Sequence, residues 1–155
     1  MASQVRIAII SMVVILSLCG VIIALHLDLT AQEPKITNVD LENEIKSIVE
    51  KTKSEYDGNL SSISNLQFGE YYSFVFSGDL DTILVHPKKE VIGTHPTGVN
   101  NADISVEEIL EALKTSDGVW VKYVYQNPAT GNEESKRSWL SMHDGYVFAA
   151  GYYNP

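Results

Sequence analysis

Residues 118–153, GVWVKYVYQNPATGNEESKRSWLSMHDGYVFAAGYY, leave a folding chain few choices. Two turn signals divide the stretch, at residues 127–131 (NPATG) and 143–145 (HDG). Proline presets φ at about −65°, and glycine supplies the positive φ that tight turns need. The segments between are dense in Val, Tyr, Trp and Phe, side chains that suit a pleated, half-buried surface. The expectation is a meander of three antiparallel strands, because connections this short join antiparallel neighbours.

The residues upstream supply the rest of a sheet and its cover. Leu41, Ile45, Ile48, Val49 and Thr52 recur on one face of a 3.6-residue period, which predicts a long helix. Asn38 or Asp40 can cap its start, and residues 57–59 (DGN) can end it. Residues 70–77 (EYYSFVFS) read as a strand with Tyr72, Phe74 and Phe76 on one face, and residues 82–85 (TILV) as a second. Residues 86–98 read as a loop carrying Gly93, Pro96 and Gly98. A capping box, Ser105 with Glu108, then opens a short helix, with Ile104 and Ile109 as its hydrophobic staple. The fold class expected is α+β: a five-stranded antiparallel sheet with a long N-terminal helix on one face, preceded by one transmembrane helix.

The last clause rests on residues 7–25, nineteen in a row without a charge. As a helix they would measure about 28 Å, close to the roughly 30 Å hydrocarbon core of a bilayer. The run is longer than a signal-peptide core of about 7–15 residues. A membrane anchor therefore fits better than a cleaved leader, although residues 30–32 (TAQ) offer a cleavage site that would make the protein secreted. Arg6 precedes the run and no further Lys or Arg occurs before Lys35, which puts the N-terminus in the cytoplasm and the remainder outside. The expected organisation is an anchor at 1–25, a polar stem at 26–36 and a single domain at 37–155.

All 20 acidic residues follow the anchor with 10 of the 11 basic ones, so the exported part carries −10. That balance argues against nucleic acid and against anionic lipid surfaces as partners. The only cysteine, Cys19, lies in the apolar run, which excludes disulfides, thiol catalysis and Cys-based zinc sites from the domain. The histidines at 26, 86, 95 and 143 have no zinc-ligand spacing, and no glycine-rich phosphate loop or nucleophile elbow occurs. No cofactor and no enzymatic activity are expected.

Several features together resemble the Cache domain, an extracytoplasmic PAS-like sensor fold. They are Tyr123-Val124-Tyr125, the turn at 127–131, Lys136 on the next strand, and a Gly-initiated last strand from Gly145 to Tyr152. Leu84-Val85-His86-Pro87, followed by Val91-Ile92-Gly93, adds a second signal. The resemblance covers residues 37–153. It implies a small-molecule ligand, an organic acid or amine, held between one sheet face and the loops above it. Signalling members continue into a second membrane helix and an output module, whereas this sequence stops at Pro155. Output is therefore expected to need a signalling membrane partner or a homodimer, unless binding is itself the function. The alternative from another class is a structural surface or pilin-like subunit whose apolar helix packs into a filament.

Within that frame the candidate ligand-binding residues are Tyr72, His86, Trp120, Tyr123, Tyr125, Lys136, Arg137 and Trp139. Arg137 offers a planar fork for a carboxylate, and Lys136 a point charge. Strand alternation puts these two on opposite faces, so only one of them can meet a ligand. Aromatic side chains around the cation would exclude water. His86, near a strand end, is the natural pH-sensitive group, although a structural hydrogen bond is the commoner role of such a histidine.

Overall fold

The computed structural model describes residues 37–153. The expected anchor, the stem and Cys19 lie outside the described residues. Among the described residues no helix is long and apolar enough to cross a membrane.

Helix α1, Asn38–Glu55, buries Ile45, Ile48, Val49 and Thr52, the face marked by the sequence period. The Thr52 hydroxyl donates to the Ile48 carbonyl at 2.9 Å and meets the Ser73 hydroxyl at 2.9 Å, so a polar side chain is satisfied at the helix–sheet contact. Gly58, with φ +99°, takes the chain away from the helix.

The sheet has six strands, not the five expected: β1 Gln67–Phe68, β2 Tyr71–Ser77, β3 Ile83–Val85, β4 Val119–Gln126, β5 Glu133–His143 and β6 Tyr146–Tyr153. Their order is β1-β2-β6-β5-β4, with β3 also paired to β2, and every pairing is antiparallel. The additional strand, β1, is two residues long and turns into β2 through Gly69 at φ +62°. So short a segment has no alternation for a sequence pattern to reveal. The meander β4-β5-β6 forms as its turns predict, in the register Lys136 opposite Tyr123 on one side and Tyr153 on the other.

The segment expected to be a plain loop also differs. It contains a 3-10 turn, Lys89–Val91, and a one-turn helix α2, Thr97–Asn100. It is tied to the sheet at both ends. Gly93 and Thr94 exchange backbone hydrogen bonds with Ile83, and Asp103 exchanges two with Lys122 on β4, one through its side chain. Helix α3, Val106–Thr115, then starts on the capping box, with both Ser105 and Glu108 hydrogen bonds formed.

The two sheet faces carry separate cores. Helix α1 packs Ile45, Ile48 and Val49 on Val75, Phe148, Ala150 and Tyr152. The opposite face gathers Tyr72, Phe74, Phe76, Val121, Tyr123 and Leu140 under Val99, Ile109 and Leu113. On the α1 side the Arg137 guanidinium pairs with Glu42 and lies 4.7 Å from the Trp120 ring centroid. Both charged partners are partly exposed, so solvent screens the ion pair to well under its Coulomb value. Ion pair and ring contact together are worth about 1–2 kcal/mol. Arg137→Ala should therefore lower the unfolding free energy, measured by urea titration, by about 1–2 kcal/mol. Glu42→Gln in the same background should add little further loss. Strict additivity of the two changes would show that the pair does not hold α1 to the sheet.

Candidate functional site

Strand β5 decides which cation can meet a ligand. Lys136 points to the face away from α1 and is 1% exposed, while Arg137 is engaged under α1. The Lys136 side chain crosses the intervening β6 to reach β2. There its ammonium donates to the Tyr72 hydroxyl at 2.6 Å. The β6 residue opposite Tyr72 is Gly151. A Cβ at that position would come within 2.2 Å of the Ser138 hydroxyl and 2.6 Å of the Arg137 carbonyl. The close approach of β5 and β6 beneath the lysine therefore depends on the missing side chain.

Lys136 is caged by rings. Its Nζ lies 4.0 Å from the centroid of Tyr72, 4.9 Å from Phe74, 5.2 Å from Tyr153 and 5.7 Å from Tyr125. None of the ion pairs among the described residues includes it. Cation–π attraction offsets part of the loss of hydration. Burial nevertheless brings the ammonium down to about 7 from its ordinary 10.5.

Lys136, Tyr72, Phe74 and Tyr125 line a cavity of about 340 Å³. Its floor is Tyr72, Phe74 and Phe76 from β2, Tyr123 and Tyr125 from β4, and Lys136. Its roof is the segment from Thr94 to Val99, with His86 and Val91 at the side. None of the lining residues is acidic. Gly98 in α2 rests on the tyrosines: a Cβ there would sit 2.7 Å from the Tyr123 ring. The roof can lie this low only because that residue is glycine. A second cavity, about 420 Å³, shares Tyr72, His86 and Tyr125 with the first and extends toward Lys88 and the turn at Pro128.

The polar groups of the main cavity include His86, Tyr72 and Tyr123. His86 Nδ1 accepts the Lys88 backbone N–H at 2.9 Å, which leaves the proton of the neutral ring on Nε2. Burial, and then the charge of Lys136, push His86 down to about 4. The Tyr72 and Tyr123 phenols are pushed up, chiefly by burial, and stay protonated. The Tyr123 hydroxyl shares a hydrogen bond with Ser138 at 3.0 Å. Tyr153 lies 3.4 Å from Tyr72, oxygen to oxygen, and donates to the Gln126 carbonyl at 2.9 Å.

Of the eight candidate residues, Tyr72, His86, Tyr123, Tyr125 and Lys136 line this cavity. Trp120, Arg137 and Trp139 do not reach it. They lie on the α1 face, where the two indoles are 5.4 Å apart and Lys46 covers Trp139 at 4.4 Å. The planar fork expected to hold a carboxylate is thus spent on Glu42, because alternation along β5 turns it under the helix. Sequence reasoning missed Tyr153, Phe74 and the roof residues. Tyr153 could have been found by pairing the two last strands about residues 143–145, which sets it beside Lys136. A groove along α1 also takes in Lys53 and Glu50, but those charges already pair at 2.8 Å. Among the described residues no cluster of three or more His, Cys, Asp or Glu side chains could hold a metal ion.

Three solved structures share the fold. A Cache chemosensory domain, studied for carboxylic acid recognition, superposes with a TM-score of 0.58 at 14% identity, over 77% of this chain and 99% of that one. The methyl-accepting chemotaxis protein of Vibrio parahaemolyticus gives 0.53 at 16% identity, over 72% and 87%. The periplasmic sensor domain of a chemotaxis protein gives 0.52 at 18% identity, over 74% and 91%. At such identities the likeness is one of fold. No curated protein matches the sequence. The Cache domain profile, however, matches residues 35–153. With most of the sequence inside that match, the chain belongs to the Cache domain family, whose members are extracytoplasmic ligand-binding sensor domains of membrane receptors.

Proposed function

We propose that this domain senses a small carboxylate held by Lys136, and that residues 7–25 anchor it to the outer side of a membrane. The observation that carries the ligand class is a buried lysine with no acidic partner, at the base of an aromatic cavity. A buried charge without a counter-charge is strongly disfavoured, and an anionic ligand would supply the missing partner. The donors nearby, Tyr72 and the Nε2–H of His86, suit carboxylate oxygens. An amine or the ammonium group of an amino acid would find no acidic group in the lining. A volume of about 340 Å³ lies at the small end of ligand pockets. The carboxylic acid recognition studied in one structure of similar fold agrees in kind. Output then passes through a signalling membrane partner or a second copy of the chain.

A thermal-shift series on the 155-residue chain tests the ligand class. Small monocarboxylates should raise the melting temperature, by the equivalent of about 2.7 kcal/mol at a hundredfold excess over Kd. Simple amines should not. Stabilisation by amines alone would overturn the proposal.

Lys136→Met separates binding from stability. It should weaken carboxylate binding by about 1.5–3 kcal/mol, the range for a hydrogen bond to a charged group. It should also stabilise the empty protein by about 0.5–2 kcal/mol, because a desolvated amine is replaced by an apolar chain. A variant that binds normally would remove Lys136 from the site.

The pH dependence has two parts of opposite sense. A bound anion favours the charged lysine, so affinity should be level below about 7 and fall about tenfold per pH unit above it. Stability of the empty protein should instead rise between about 7 and 10.5, where the unfolded chain holds a proton on this residue that the folded chain lacks. Lys136→Met should remove both slopes. Persistence of either slope in the variant would assign it to another group.

A further inference from the structure

We propose that Lys136 is a nucleophile, and that the cavity captures 2-oxo acids reversibly as an imine on its amine. The proposal rests on the cavity being the ligand site and narrows the carboxylate to one that carries an adjacent ketone.

Three features of the site converge on this chemistry. The Lys136 amine is desolvated, faces a cavity and forms no ion pair among the described residues. An amine held in apolar surroundings stays partly neutral and keeps its lone pair available for carbonyl carbon. Burial lowers its ammonium to about 7 from the ordinary 10.5, so neutral amine is available near neutral pH. An exposed lysine of ordinary value is then neutral in fewer than about one molecule in a thousand.

The second feature is the Tyr72 phenol, 2.6 Å from the amine nitrogen. The nitrogen lone pair adds to the carbonyl carbon and the C=O π pair moves to oxygen. Tyr72 takes a proton from nitrogen and returns one to that oxygen, which gives a carbinolamine. A proton taken from solvent, equal to the one the ammonium gives up on becoming the free amine, turns that hydroxyl into water, which leaves as the nitrogen lone pair forms the C=N bond. The balance is ammonium plus ketone to protonated imine plus water, with no change of oxidation state.

The third feature selects the class of carbonyl compound. A protonated imine is a buried cation, and the cavity lining contains no carboxylate to balance it. A simple aldehyde or ketone would leave that charge uncompensated. A 2-oxo acid carries its carboxylate on the imine carbon and so brings the counter-charge with it. The Nε2–H of His86 can donate to the same carboxylate. The lack of an acidic side chain also means that no carboxylate base is present to take a proton from the carbon next to the imine. The adduct would therefore return to ligand and free lysine, as a sensor requires.

The test is reductive trapping. The 155-residue chain is incubated with pyruvate and cyanoborohydride at neutral pH, and the labelled lysines are mapped by peptide mass spectrometry. Hydride addition to the imine carbon should leave a carboxyethyl group on Lys136, at least about tenfold faster than on any other lysine. Excess acetate should slow it, and Lys136→Arg should abolish it. Tyr72→Phe should slow trapping more than it weakens acetate binding, which a merely structural tyrosine would not do. Labelling of Lys136 no faster than of the surface lysines overturns the imine. A parallel thermal shift with acetate separates the two readings. If acetate stabilises the chain and Lys136 stays unlabelled, only the imine is lost; if acetate is also without effect, the carboxylate site falls with it.

Discussion

A lysine ammonium withdrawn from water without a carboxylate beside it is the interaction around which this molecule is arranged. Moving such an ion into a protein interior costs several kcal/mol even after relaxation. Here the loss is offset in part by four aromatic rings within 6 Å of the nitrogen and by one phenol oxygen. The rest is left standing as a depressed ammonium. A negative group beside Lys136 would favour its charged form. The same imbalance holds His86 neutral, since its own burial is reinforced by the nearby lysine.

This arrangement is possible because the sheet is covered on both sides and its two faces do different work. On the α1 side, every prominent cation has a partner within the fold: Arg137 with Glu42 and Trp120, Lys46 with Trp139, Lys53 with Glu50. On the other side, Lys136 has only rings and hydroxyls. Neighbouring residues of one strand therefore have contrasting fates. Arg137 strengthens the packing of a helix, and Lys136 is buried with no carboxylate beside it.

The fold was legible wherever a period or a turn residue carried it. The α1 stripe from Ile45 to Thr52, the capping box at Ser105 and Glu108, and the turns at Gly131 and Gly145 all acted locally and were readable locally. The two-residue β1 was not, because Gln67 and Phe68 are too few to alternate. The site was half legible. Alternation separated Lys136 from Arg137 but could not say which face α1 would cover. That depends on which apolar stripe of β2 and β6 is complementary to Ile45, Ile48 and Val49, a long-range matter of packing. Arg137 was a candidate through the chemistry of its fork, and the helix acid Glu42 occupies that fork.

The roof is tied into the sheet at its ends and rests on the cavity floor. The Thr94–Val99 segment is held to β3 at one end, while Asp103 joins the chain to β4 at the other. Between these ties it meets the floor through Gly98 against Tyr123. Tyr123 is bonded to Ser138, two residues from Lys136 on the same face of β5. Lys136, Ser138, Tyr123 and the roof thus form one run of connected groups. The link is short, made of packed groups rather than flexible loops, and it ends on β4 at the edge of the sheet. Part of that edge is already taken, since Asp103 bonds both the backbone carbonyl and the N–H of Lys122.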